Sequence, residues 1–271
     1  MCHQRAARTI AGMTIHAQPA EHHPADNSAA AADNRSKIVA AMSHTPLEHP
    51  HRLRVVIAGF LAAGVLGYVV VTYSGFDPSD SAVGLRPGVP WHFAALMTHI
   101  VTASVALALG PLQFVRRIRR IPRLHRYIGR GYLFAGVFPS SLVGIPVALL
   151  STAGPIAAAG LLVGDLIWLV TGVQAYRLVR AHRYREHARW MVRNFALTFA
   201  AVTFRIWLPL LLVVQLPLLD RSYGGDFDPL FHTAYLITCW LAFIPNLLLV
   251  NRYLRRSRRP GGLRANRSSP H

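Results

Sequence analysis

The sequence predicts an all-α fold, a polytopic membrane bundle of six transmembrane helices with both termini in the cytoplasm. Three observations carry this. Apolar residues make up 52% of the 271 positions and charged ones only 15%, a balance too apolar for a soluble domain. The apolar residues gather near 55–73, 93–115, 131–151, 156–176, 194–217 and 230–251. Each stretch is close to the ~20 residues a helix needs to cross hydrocarbon. The charge is 29 Lys+Arg against 11 Asp+Glu, a net +18, and every basic residue but Lys37 is Arg. On one face of a soluble domain such an excess would indicate nucleic acid. Set in clusters between apolar runs, it indicates membrane topology and argues against a nucleic-acid partner.

Residues 1–51, rich in Ala, His, Pro and Asn with no sustained hydrophobic period, read as a disordered tail. They lack the continuous apolar core of a secretory signal, and Met42 would serve as an initiator as well as Met1. The six-helix domain is expected over 52–254, with 255–271 a basic disordered tail. Pro139 and Pro146 interrupt the third stretch, where kinks are expected. The loop after the second stretch carries Arg116, Arg117, Arg119, Arg120, Arg123, Arg126 and Arg130 without an acid. That after the fourth carries Arg177, Arg180, Arg183, Arg185, Arg189 and Arg193 against Glu186. Asp77, Asp80, Asp220, Asp226 and Asp228 lie on the other side. The Arg bias places the basic loops in the cytoplasm, next to anionic lipid headgroups. A cysteine at Arg183 should therefore react with an impermeant thiol reagent only from the cytoplasm; labelling from outside would reverse the orientation. Cys2 and Cys239 allow no disulfide framework.

An ionisable group inside a span is costly, which makes it a candidate site. His99, Asp165 and Arg205 qualify. Asp165 and Arg205 lie about 17–18 Å from the inner ends of their stretches, so a buried ion pair between the fourth and fifth helices is expected. His99 has Ala95, Thr102, Ala103 and Ala106 on its helix face, small neighbours that leave room for a flat ligand. His125 and His187 open the third and fifth spans on one membrane side. Gly129 lies one turn past His125, and Arg126, Arg130 and Arg189 are placed to hold anionic propionates. His92 and His232 near the outer boundary and His182 in an inner loop read as solvated.

Four runs in order then point to a family. Leu124-His125-Arg126-Tyr127-Ile128-Gly129-Arg130-Gly131-Tyr132 follows Gly110-Pro111-Leu112-Gln113-Phe114, and His187-Ala188-Arg189-Trp190-Met191-Val192-Arg193-Asn194 comes later, with Trp240 to Leu247 in the last span. In order and spacing this resembles the uncharacterised bacterial membrane-protein family catalogued as domain of unknown function 2306, over about residues 90–255. The resemblance implies a multi-span membrane protein without an assigned activity. His125-Arg126-Tyr127-Ile128-Gly129 is also similar to the His-x-x-Leu-Gly pattern of two-haem cytochrome b membrane proteins, which implies haem.

Three functions remain in play. The first is a b-type haem electron-transfer protein with His125 and His187 as iron ligands and His99 facing a second haem or a quinone, served by a redox partner. The second is a transporter or membrane binding protein with a polar midplane site around Asp165 and Arg205. The third is a non-catalytic structural membrane protein. No Gly-rich phosphate loop or serine-nucleophile pattern supports a self-contained pump or esterase.

Overall fold

The computed structural model describes residues 49–78, 81 and 84–256. The chain divides into Met1–Pro50 and His51–His271; of the first unit only the two residues that start a helix are described. The expected disordered tails therefore lie almost wholly outside the described residues. No strand occurs among those described, and six helices are long and apolar enough to span a bilayer: Leu53–Tyr73, His92–Phe114, Pro122–Leu149, Pro155–Arg180, Tyr184–Tyr223 and Phe227–Arg256.

The third, fifth and sixth spans begin or end beyond the apolar stretches. The extra turns carry the Arg clusters: Pro122–Arg130 opens the third span, Tyr184–Thr198 opens the fifth, and Ile244–Arg256 closes the sixth. Hydropathy reports only the length immersed in hydrocarbon, whereas backbone hydrogen bonding continues the helix into the headgroup layer.

The prolines act on the backbone in specific ways. The third span widens to a π-helix over Gly131–Val137, just before Pro139, which brings no N–H to the helical ladder. Pro245 stands in the first turn of Ile244–Arg256, which is separated from Phe227–Leu241 at Ala242 and Phe243. The fifth span breaks too, at Phe199 between Tyr184–Thr198 and Ala200–Gln215. The two breaks face each other. Asn246 Nδ2 donates to the Ala196 carbonyl at 3.1 Å, the Ala242 carbonyl at 3.0 Å and Thr203 Oγ1 at 3.1 Å, while Thr203 Oγ1 donates to the Ala242 carbonyl at 2.6 Å. Freed carbonyls in a dry bundle need such donors, so the side-chain amide holds open two discontinuous helices.

The core joins the second, third, fourth and fifth spans around Ala106, Tyr132, Val137, Trp168 and Met191. Small residues set the approach. A Cβ on Gly136 would lie 2.9 Å from both the Cα and the N of Ala106, so the third span meets the second backbone to backbone. The first span stands apart. Only 11% of it is buried, against 44% of the third, and added side chains at Gly59, Gly64 and Gly67 would meet nothing. It is held by Ala62 and Val65 packing on Leu107 and Val202.

Candidate functional site

A cavity of about 940 Å³ occupies the bundle beneath that loosely held first span. Its wall is mainly apolar, and His99, Asp165, Arg205, Trp168, Thr198 and Tyr235 are among its polar members. The three ionisable groups singled out by sequence thus share one space, and each is fixed differently.

His99 Nδ1 lies 3.0 Å from the Ser140 carbonyl and 3.3 Å from Ser140 Oγ, which itself donates to the His99 carbonyl at 3.1 Å. A carbonyl can only accept, so the neutral ring carries its proton on Nδ1 and leaves Nε2 as an acceptor. Gly144 lies one turn beyond Ser140 on the third span. A Cβ there would stand 2.8 Å from both His99 Nδ1 and Asp165 Cγ and would overlap Asp165 Oδ2. The missing side chain is what lets carboxyl and imidazole approach each other from the fourth and second spans.

Arg205 does not join them. Its Nη1 donates to the Ala201 carbonyl at 2.8 Å, one turn back on its own helix, and its guanidinium carbon stands 5.0 Å over the Tyr68 ring of the first span. Its Nε is buried without a partner. The expected Asp165–Arg205 ion pair is therefore not formed. Matching depths put both groups at one level, but the helix faces turn the carboxyl toward His99 and the guanidinium toward the first span.

Beneath the cavity lies a polar cluster that sequence reasoning passed over. Tyr132 and Asn194 are fully buried. Tyr132 Oη donates to Asn194 Oδ1 at 2.6 Å and contacts Thr198 Oγ1 at 2.7 Å; Trp168 Nε1 donates to the same Thr198 oxygen at 3.0 Å. Asn194 Nδ2 donates to the Trp168 carbonyl at 2.8 Å and to Thr171 Oγ1 at 2.9 Å. Trp168 and Thr198 line the cavity, so this cluster forms its floor. Three spans are tied together by groups whose alternative in hydrocarbon is no partner at all.

At the basic end, His125 stands in the helix that opens the third span and His187 in the one that opens the fifth. His125 Nδ1 is buried without a partner, and His187 Nδ1 lies 2.9 Å from the Ala175 carbonyl, leaving Nε2 as the acceptor. Gly129 brings the third span to within 3.4 Å of Gln113 Oε1, measured from an added Cβ, and Gln113 Nε2 is also buried and unpartnered. Arg126 is exposed and donates from Nε to the Pro122 carbonyl at 3.2 Å. Arg130 is exposed and Arg189 half-buried. Arg193 stacks on Trp190 at 4.9 Å and donates to Asn251 Oδ1 at 2.8 Å. Neither His125 nor His187 lines the large cavity.

Among the remaining histidines, His232 is exposed and bonds the Ala153 carbonyl, and His182 is exposed. His92 departs from expectation. It is 1% exposed, because the chain before the second span folds over it and the Arg86 N–H donates to its Nδ1 at 3.0 Å.

A signal for the His99–Asp165 approach was present. Counted from the outer helix ends, His92 and Pro155, His99 and Asp165 lie about 10 and 15 Å deep, within one helical turn of each other. Gly144 and the two serines before it mark where the third span admits both. For the floor, Tyr132 and Asn194 stand within the very runs that carry the family resemblance. A family model described as "Predicted membrane protein (DUF2306)" matches residues 96–254. No curated protein and no solved structure matches the chain.

Proposed function

Since the chain belongs to this family of predicted membrane proteins, whose description assigns no activity, we propose from its geometry a membrane binding or transport protein that takes a small molecule into the mid-bundle cavity. The observation that carries this reading is the convergence of His99, Asp165 and Arg205 on one apolar-walled space of about 940 Å³. Ligand sites are of this size and character, with few polar groups fixing orientation in a low-dielectric wall that strengthens each contact. His99 Nε2 supplies an acceptor, Asp165 a carboxyl able to accept or carry a proton, and Arg205 a permanent donor fork. The facing breaks at Phe199 and at Ala242–Phe243 are where a transporter would hinge.

A second reading, b-type haem electron transfer, is favoured by the buried His125 Nδ1, which has no hydrogen-bond partner. The Ala175 carbonyl orients the His187 ring as a hydrogen-bonded metal ligand is oriented. His125 and His187 would hold the haem iron, and the bound group would supply one-electron chemistry.

One preparation separates the readings. The full chain, purified in lipid nanodiscs, is extracted for bound small molecules and its dithionite-reduced absorbance is recorded. The cavity reading expects a co-purifying molecule that is lost in Gly164→Leu. That substitution fills the cavity wall at a tolerated position, since an added Cβ would stand 3.5 Å from Phe243. No bound molecule, and no difference in Gly164→Leu, would sink it. The haem reading expects a reduced-haem band that His125→Ala or His187→Ala removes; a band unaffected by both, or no band after growth with haem, rejects it.

A further inference from the structure

The cavity holds a cation that no acid pairs with among the described residues. Among the described residues no carboxylate pairs with Arg205, whose contacts are a carbonyl of its own helix and the face of Tyr68, and whose Nε has no partner. Asp165, the acid that shares the cavity, is turned to Gly144 and His99. A guanidinium stays charged under any ordinary condition, so it cannot relieve its burial by losing a proton. One Nη1 bond is the only hydrogen bond the group makes among the described residues and the residue lines the cavity, so a donor fork that matches the two oxygens of a carboxylate or phosphate is left for a ligand.

The rest of the wall determines what kind of anion fits. Leu61, Val65, Leu96, Ile100 and Phe204 are apolar and extend along the cavity from Arg205. The wall also includes Phe60, 78% exposed, and Ile206, 47% exposed, side chains that face out of the bundle on the first and fifth spans. The space is thus open sideways, toward hydrocarbon, past the span that packs least. A molecule already dissolved in the bilayer reaches the space directly through that side.

We propose that the ligand is a lipid-soluble anion, a long-chain carboxylate or phosphate monoester that enters beside the first span, sets its head on Arg205 and lays its tail along the apolar wall. This rests on the binding-protein reading above and names its ligand class. Tyr68 then acts as a latch, holding the guanidinium against the first span until an acid head replaces the weaker cation–π contact.

The test measures binding to the full chain in phosphatidylcholine nanodiscs with four probes: oleic acid, oleyl alcohol, butyrate and inorganic phosphate. Oleyl phosphate is added to compare the two heads. The acid and the phosphate ester should bind at least tenfold more tightly than the alcohol, and butyrate and inorganic phosphate should not bind measurably. Arg205→Gln should bring the acid down to the level of the alcohol and leave alcohol binding unchanged. Alcohol binding equal to that of the acid overturns the anion and leaves the binding reading standing. Butyrate or phosphate bound as well as oleate means a site for free anions and overturns the lipid. Binding of none of the probes removes the proposed ligand, while a different co-purifying molecule still upholds the binding reading. The probe comparison on the unaltered protein decides even where Arg205→Gln fails to fold.

Discussion

Asn194→Ala is expected to be the most damaging single polar substitution in the bundle, at about 3 kcal/mol. The side chain accepts from Tyr132 Oη and donates to the Trp168 carbonyl and Thr171 Oγ1, all in a fully buried site that water does not reach. Its removal leaves those partners with fewer bonds and opens a void where the third, fourth and fifth spans meet. Tyr132→Phe removes one hydroxyl and keeps the ring, so about 1 kcal/mol is expected. Because one of the hydroxyl's two partners has already gone in Asn194→Ala, the double variant should cost less than the sum of the two. Denaturation in mixed micelles measures all three. Additive costs, or an Asn194→Ala cost below about 0.5 kcal/mol, would show that the cluster does not bind the spans together.

Gly136→Val should cost about 3 kcal/mol for a different reason. The added atoms meet the backbone of Ala106, which no rotamer change can move aside; an added Cβ would already lie 2.9 Å from its Cα and N. The second and third spans must separate, and the core around Ala106, Tyr132 and Val137 opens with them. Gly64→Val is the matched control. Its Cβ meets nothing on the loosely packed first span, so the same chemical change there should leave stability within about 0.5 kcal/mol. Equal melting of the two variants would refute the close backbone approach.

The contrast between these glycines shows how far a single sequence reaches. Gly64 and Gly136 both stand among small and apolar residues in membrane spans, and periodicity treats them alike. Only the crossing of the second and third spans makes one a contact and leaves the other open. The same holds for the charged groups. Depth along a helix follows from residue count and rise, which brought Asp165 and Arg205 to one level. Azimuth depends on how each helix rotates against its neighbours, and that rotation gives Asp165 to His99 and Arg205 to Tyr68.

By itself the sequence determined what one-dimensional quantities can: six helices, from stretches long enough to cross hydrocarbon; the basic and acidic ends of the bundle, from the Arg clusters; and the ionisable residues held within it. These follow from the bilayer, which selects on length, hydropathy and charge position without reference to partners. The tertiary structure decided everything that depends on two helices at once. The π-helical turn before Pro139, the facing breaks closed by Asn246, the burial of His92 and the buried Tyr132–Asn194 floor are of this kind. So is the cavity. Lipid is as apolar as a leucine, so hydrophobicity alone places a helix in the membrane without saying which side meets another; packing of small residues and pairing of polar ones makes that choice.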